Sequence, residues 1–447
     1  MVKRIKWSLV TLFFTCFVAG LAFAGPLADY VNAPDPHYAY EITGSYDGDR
    51  YTTHFIRMTS QSWRGNDATP HVWKHWLSVY VPDDLRQSEA LVRIQGGKHT
   101  DGQPGPEHQW ATIAVVTRSI VAVLRTVPNQ PLTFTGIDKG LVEDEIIALT
   151  FKHFSETEDP TWPLLLPMVK SVVKAMDTIQ DVAATKFDHP AEVDGFVLTG
   201  ASKRGWTTWL TAAADPRVKA IAPQVIDVLN IKPQMEYQKF SYGDYSQEVE
   251  DYSELDLMAL LTSPKGRPLL DIVDPYEYRE SLTLPKLVML GSGDQYWTVD
   301  AAKFYFPDLV GEKHLYYEPN ADHGMGSKEG AVKTLTAFYN RVITETPRPE
   351  FSWHFKDNGR YVVKPKGMPV AAHLWKAEAP TRDFRLMTVG EVWKSTPLEP
   401  NARGWYRGKI ERPEKGYVAY FIELEYPCGL GFNYGLTTLM KLLEPKD

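Results

Sequence analysis

Val193-Asp194-Gly195-Phe196-Val197-Leu198-Thr199-Gly200-Ala201-Ser202-Lys203-Arg204-Gly205-Trp206 is the stretch on which the fold turns. Val193 to Thr199 is a short apolar run of strand length, of the kind found where a strand is covered on both faces. Gly200 to Gly205 interrupts it, and the chain then reads as a helix through Ala214 that Asp215-Pro216 breaks. Strand, sharp turn and helix together lift one side chain above a sheet, and Ser202 occupies that turn.

Working outward, Trp76 to Val81 reads as a strand ended by Pro82, and Ala90 to Gln95 as another closed by Gly96-Gly97. Ala111 to Val116 and Ser119 to Leu124 are both rich in β-formers and are expected to contain the next core strand. Val142 to Phe154 and Pro167 to Ala183 read as helices. The second carries Met168, Val172, Met176, Ile179 and Val182 near one face, the stripe of a helix packed on a sheet. Val218 to Val225, Leu287 to Leu290 and His314 to Tyr317 read as further strands, and Gly330 to Val342 as a closing helix. Strands alternating with helices require crossovers, so the fold class is α/β: a mostly parallel sheet flanked by helices. After a linker at Pro347-Arg348-Pro349 the texture becomes short strands and turns, with Tyr417 to Glu425 patterned like a strand buried on one face. Residues 351–447 are therefore read as a small β-sandwich following an α/β domain over 25–346.

The chain has 447 residues, 43% hydrophobic and 23% charged, which suits a foldable chain of two or three domains. A formal charge of −8 and a pI near 5.9 argue against nucleic acid as the main partner. Lys3, Arg4 and Lys6 precede an apolar run from Trp7 to Leu21, and Ala22-Phe23-Ala24 supplies a small-x-small site, so residues 1–24 read as a signal peptide. Its removal takes the charge to about −11 and leaves Cys428 without Cys16, so no intrachain disulfide is expected. With no later apolar run of spanning length, the mature chain is expected in the periplasm or outside the cell.

The segment 230–282 is longer than a crossover needs. Its residues 236–280 hold eleven acids and four basic residues, and an insertion at this place forms either a lid over a site or a solvated surface excursion. Such an acidic lid would favour substrates with a free amine or other cationic character.

Acyl transfer needs a nucleophile, a base, a group that orients the base, and donors for an oxyanion. Ser202 follows one strand, Asp294 in Gly291-Ser292-Gly293-Asp294 follows a later one, and His323 follows the last. Asp294 is preferred over the adjacent Asp322 as the group that fixes the histidine. The order Ser, Asp, His is that of α/β-hydrolases. The turn departs from G-x-S-x-G, because Arg204 stands where the second glycine belongs and the glycine is displaced to Gly205. The oxyanion donors are expected to be the amide of Lys203 and amides of the loop at Gly97 and Lys98. Tyr296, Trp297 and Trp206 are candidates for lining the substrate cleft, with Trp206 and Trp209 also suited to the core. This chemistry needs no cofactor or metal; His71 and His75 are spaced i, i+4 but lack the glutamate of H-E-x-x-H and lie in strand-like sequence.

Leu198 to Trp206, Val127-Pro128-Asn129-Gln130-Pro131-Leu132, Asp274-Pro275-Tyr276, Gly293-Asp294-Gln295-Tyr296, Pro319 to His323 and Arg382-Asp383-Phe384-Arg385 together resemble the PhoPQ-activated pathogenicity-related protein family. The resemblance implies an α/β-hydrolase core with a C-terminal β-rich domain in an exported bacterial protein, and a link to virulence or envelope stress. The Ser-Lys-Arg-Gly elbow is the family's own pattern. A secreted eukaryotic proliferation repressor is similar to this family. The sequence thus predicts an exported serine hydrolase acting on a small-molecule or peptide ester or amide; the rival reading is a non-catalytic binding protein on the same scaffold.

Overall fold

A computed structural model of the chain describes residues 25–446 apart from 188, 326 and 327, so the leader read over residues 1–24 lies outside the described residues. The α/β region is built on one sheet of nine strands: β1 (Ala39–Gly48), β2 (Tyr51–Ser62), β3 (Val72–Pro82), β4 (Glu89–Ile94), β5 (Val121–Leu124), β6 (Gly195–Ala201), β7 (Val218–Gln224), β8 (Lys286–Gly291) and β9 (Lys313–Glu318). They lie in the order β1-β2-β3-β5-β4-β6-β7-β8-β9. The first three pair antiparallel, β3 meets β5 antiparallel, and every pairing from β5 to β9 is parallel. The sheet is mostly parallel, as the strand–helix alternation predicts, and α/β-hydrolase-like, as the family resemblance implies.

The parallel strands read as unbroken apolar runs because successive residues feed opposite cores. Phe196 and Leu198 of β6 join a cluster with Met168, Val172, Met176 and Ile179 of the helix Leu165–Thr185, and with Trp209 of the helix Lys203–Ala214. Val197 joins Trp110 and Phe338 on the other face. The stretch Ala111 to Val116 is not a strand. It lies in the helix His108–Thr117, where burial of Trp110, Ile113 and Ala114 outweighs the weak helix preference of the β-branched Thr112, Ile113, Val115 and Val116.

The C-terminal region forms two further antiparallel sheets from β10 (Phe351–Phe355), β11 (Arg360–Pro365), β12 (Ala371–Ala379), β13 (Lys394–Pro397), β14 (Tyr406–Lys409), β15 (Tyr417–Pro427), β16 (Asn433–Thr437) and β17 (Lys441–Leu443). One sheet runs β10-β11-β14 and the other β13-β12-β15-β16, with β17 also on β15. β15 is buried on both faces over Val418 to Ile422 and alternates beyond it as expected, with Glu423 and Glu425 part-exposed between Ile422, Leu424 and Tyr426. Tyr420 meets Phe355 and Tyr361 of the smaller sheet, whereas Phe421 meets Tyr317 of β9 and Trp393. The β-rich region therefore shares the α/β core. Even the Pro347-Arg348-Pro349 stretch is pinned, through an ion pair of Arg348 with Glu312. Among the described residues no helix is long and apolar enough to cross a membrane.

Candidate active site

Ser202 sits between β6 and its helix at φ 58°, ψ −131°, a conformation unfavourable for a residue with a side chain. The strain is maintained by close packing on either side. A Cβ on Gly200 would collide with the Arg204 carbonyl, and one on Gly205 would lie 2.9 Å from Gln224 O and 3.0 Å from Gly200 O. Both positions pack on the strand: the Arg204 backbone lies against Gly200, and Gly205 lies against Gln224 O and Gly200 O. Arg204 is free to point outward, and its guanidinium fills the space over Gly96, where a Cβ would come within 2.6 Å of Nη2.

What Arg204 reaches is an anchor that the sequence does not reveal. Its Nη1 and Nη2 donate to Glu143 at 2.8 and 2.7 Å, and its Nε donates to Val127 O at 2.6 Å. Lys203, buried at 6% exposure, pairs with Glu143 at 2.7 Å and Asp144 at 3.1 Å. Gln130 donates to Glu143 as well, at 2.6 Å. Burial opposes ionisation of Glu143, but the hydrogen bonds and charges of Arg204 and Lys203 prevail and hold its pKa at about 2. Two acids opening a helix read in sequence as ordinary partners of the helix N-terminus, so nothing marks them as the partners of a turn about 60 residues later.

A folded pKa of about 2, below the ordinary 4.5, gives stability that is complete above pH 5 and is lost as pH falls toward 2. Glu143→Gln should cost about 2 kcal/mol at pH 7, since two basic side chains lose a charged partner. It should also flatten the acid limb of the stability curve. Urea unfolding at pH 7 and pH 3 checks both; an equal loss at the two pH values would remove the ion cluster as the cause.

Asp294 follows β8 and His323 follows β9, neighbouring parallel strands. Asp294 Oδ2 lies 2.8 Å from His323 Nδ1, and its Oδ1 accepts the Tyr296 N–H at 2.9 Å. Asp322 is exposed and accepts the Gly324 N–H instead. With Nδ1–H donated to a carboxylate, Nε2 carries the lone pair of a base. That Nε2 is buried and has no hydrogen-bond partner among the described residues, so Ser202 and His323 are not hydrogen-bonded here. The Tyr296 ring packs on the imidazole with centroids 4.3 Å apart.

Ser202 opens onto a narrow cavity of about 50 Å³, whose walls include Lys203, Trp206, Tyr296 and Trp297. Trp209 is wholly buried in the core. The 230–282 segment, folded as short helices, supplies the opposite wall through Met235, Val249, Tyr252 and Leu261. It is tied to the loop after Asp294 by Gln238 to Tyr296 O at 2.6 Å, Ser246 to Gln295 O at 2.7 Å and Tyr242 to Trp297 O at 2.9 Å.

Of the two expected loop amides, that of Lys98 is otherwise employed. The Lys98 N–H donates to Asp101 Oδ2 at 2.7 Å, and neither Gly97 nor Lys98 lines the cavity. Gly97 holds φ +133° beside Asp101, and Gly96 makes room for Arg204, so these glycines serve the turn and the elbow. The Lys203 amide remains a donor at the first position of a helix, where no intrahelical acceptor exists. His75 is buried and bonded to Ser60 and Thr126 O, burial lowering its pKa to about 4, and His71 bonds Ser62. No cluster of metal-ligating side chains occurs among the described residues.

The chain is 34% identical over 443 residues to autocrine proliferation repressor protein A of Dictyostelium discoideum, covering 94% of this chain and 89% of that one. Its backbone is similar to acetyl xylan esterase 1 from Thermoanaerobacterium sp. JW/SL YS485, with a TM-score of 0.50 and 15% identity, over 72% of this chain and 95% of that one. At that identity the likeness is one of fold, and the fold is that of the α/β-hydrolases. The model of the PhoPQ-activated pathogenicity-related proteins matches residues 27–385, most of the chain and both strand ends that carry Ser202 and His323, and the protein belongs to that family.

Proposed function

We propose that the protein is an exported serine hydrolase that cleaves an ester or amide by acyl transfer to Ser202. The carrying observation is the pair of His323 and Asp294 at 2.8 Å, with a buried Nε2 that has no partner, in a fold where a strained serine opens onto a cavity. Ser202 attacks the carbonyl and His323 takes its proton, then returns it to the leaving group. Asp294 orients the imidazole, and the Lys203 N–H stabilises the oxyanion. The missing Ser202–His323 bond is compatible with this, because such bonds tighten on substrate binding. Export rests on the leader read over residues 1–24, and a role in virulence or envelope stress on the family resemblance.

The test is reaction of the folded mature protein with a fluorophosphonate, the modified residue being located by mass spectrometry. Modification at Ser202 is the expected result; an unmodified protein would overturn the reading. One observation favours a second reading, a secreted regulator that binds without turnover: the similarity to the proliferation repressor spans both the α/β and the β-rich regions. Labelled Ser202 with no hydrolysis of any ester or peptide would favour it.

A further inference from the structure

The cavity beside Ser202 contradicts the substrate preference that the charge of its lid suggests. Glu236, Asp244, Glu250, Glu254, Asp256, Asp271 and Glu280 are exposed on the outer side of the segment, and none of its eleven acids lines the cavity. Asp274 is buried but spent on the backbone N–H groups of Asn230, Ile231 and Tyr276. Among the described residues, the one carboxylate in the lining is Asp144. Its oxygens are already taken by Lys203 at 3.1 Å and by the Tyr252 hydroxyl at 2.9 Å. A substrate ammonium entering here would lose its hydration without gaining a free counter-charge.

The remaining wall is hydrocarbon and aromatic: Phe151, Trp206, Ile226 and Trp297 from the core, Met235 and Leu261 from the lid. The edge of Phe151 meets Trp206 with centroids 6.2 Å apart, and the Trp206 indole N–H is satisfied by Val273 O, so these two rings present carbon to the contents. A cavity of about 150 Å³ takes a benzene ring; the 50 Å³ here takes about two carbons beyond an acetyl group.

We infer that this cavity is an acyl pocket for a short, uncharged aliphatic group, with a butyryl ester as the best simple substrate. The inference rests on the hydrolase reading for its chemistry, but the pocket itself can be tested without turnover. In the reaction the Ser202 Oγ–acyl bond forms as the bond to the alcohol breaks. The alcohol leaves with the proton taken by His323, and water then releases the short carboxylic acid by the reverse proton path.

Each methylene moved from water into the pocket is worth about fourfold, so butyryl should exceed acetyl by about 15-fold. The binding arm uses the Ser202→Ala variant, titrated with methyl acetate, methyl butyrate, methyl octanoate and methyl 4-aminobutyrate while the fluorescence of Trp206 and Trp297 is followed. The turnover arm measures kcat/KM of the wild type on the corresponding 4-nitrophenyl esters. Leu261→Ala, which enlarges the pocket, should move the optimum to longer chains, and Val249→Phe, which fills it, should bring butyrate down to the level of acetate. Circular dichroism confirms that both variants are folded.

Butyrate bound and turned over best, with the optimum moved by the two variants, supports the pocket. Acetate or the 4-aminobutyrate ester preferred, or a flat series in both arms, overturns it. Selective butyrate binding without hydrolysis would sustain the pocket while sinking the hydrolase reading, and hydrolysis without chain-length selectivity would do the reverse.

Discussion

His323→Ala and Ser202→Ala should each reduce hydrolysis of a butyrate ester by about 10⁵–10⁶-fold, and the double variant should be no worse than either. The reason is that the two act in one proton transfer. Without the imidazole the hydroxyl has no base within reach. Without the hydroxyl the imidazole has nothing to deprotonate. Asp294→Asn should cost less, about 10⁴-fold, because the ring remains in place but its Nδ1 loses the carboxylate that accepts its proton and stabilises the imidazolium. Steady-state kinetics on purified, folded variants measures all four. Additive losses in the double variant would mean that Ser202 and His323 do not work together, and the assignment of His323 as base would fall.

The parts of this arrangement that the sequence makes legible are those with a local cause. β6 is recognisable because a strand buried on both faces must be apolar at successive positions, and Phe196, Val197 and Leu198 feed two cores in turn. The helix Leu165–Thr185 is recognisable from its 3- and 4-residue spacing, and Ser202, Asp294 and His323 from their places after the strands β6, β8 and β9. The shift from G-x-S-x-G to G-x-S-x-x-G looks like a defect in sequence, and the packing of Gly205 against Gln224 O and Gly200 O removes it.

What is illegible depends on partners far apart in the chain. Glu143 finds Arg204 only through the fold, and Asp101 takes the Lys98 amide although Gly-Gly-Lys suggests an open loop. The lid's charge is visible, but not its direction. An eleven-acid count cannot tell that seven of these side chains face water and none lines the cavity, while Met235 and Leu261 line it with Ser202. The helix His108–Thr117 was hidden by β-branched residues whose preference yields to burial of Trp110.

A chain ending at residue 346 should fail to give a soluble, cooperatively folded protein, although it retains every residue of the proposed triad. Phe384, Trp393, Phe421, Tyr434 and Leu436 are all buried. At about 1.5–3 kcal/mol for each large apolar side chain, their loss comes to roughly 10 kcal/mol, comparable to the whole stability of an ordinary domain. The same region braces the loops that carry Asp294 and His323 directly. Leu386 N–H donates to Gly293 O at 2.9 Å, one residue before Asp294, and its Cβ lies where a Gly293 side chain would be. Three residues before His323, Asn320 exchanges two hydrogen bonds with the Trp393 backbone, at 2.9 and 3.0 Å, while its own N–H donates to Ser292 Oγ at 2.9 Å. Asn320 holds φ 53°, a left-handed conformation that asparagine tolerates better than most residues. Asn320→Ala should therefore leave a folded protein in which His323 is less firmly held, lowering kcat by about 10- to 100-fold with KM little changed. Analytical ultracentrifugation and urea unfolding decide the truncation, and the split between kcat and KM decides Asn320. A soluble, cooperatively unfolding 25–346 fragment that still reacts with fluorophosphonate at the full rate would show that the β-rich region is dispensable to the site; a change in KM alone would remove Asn320 as a positioning residue.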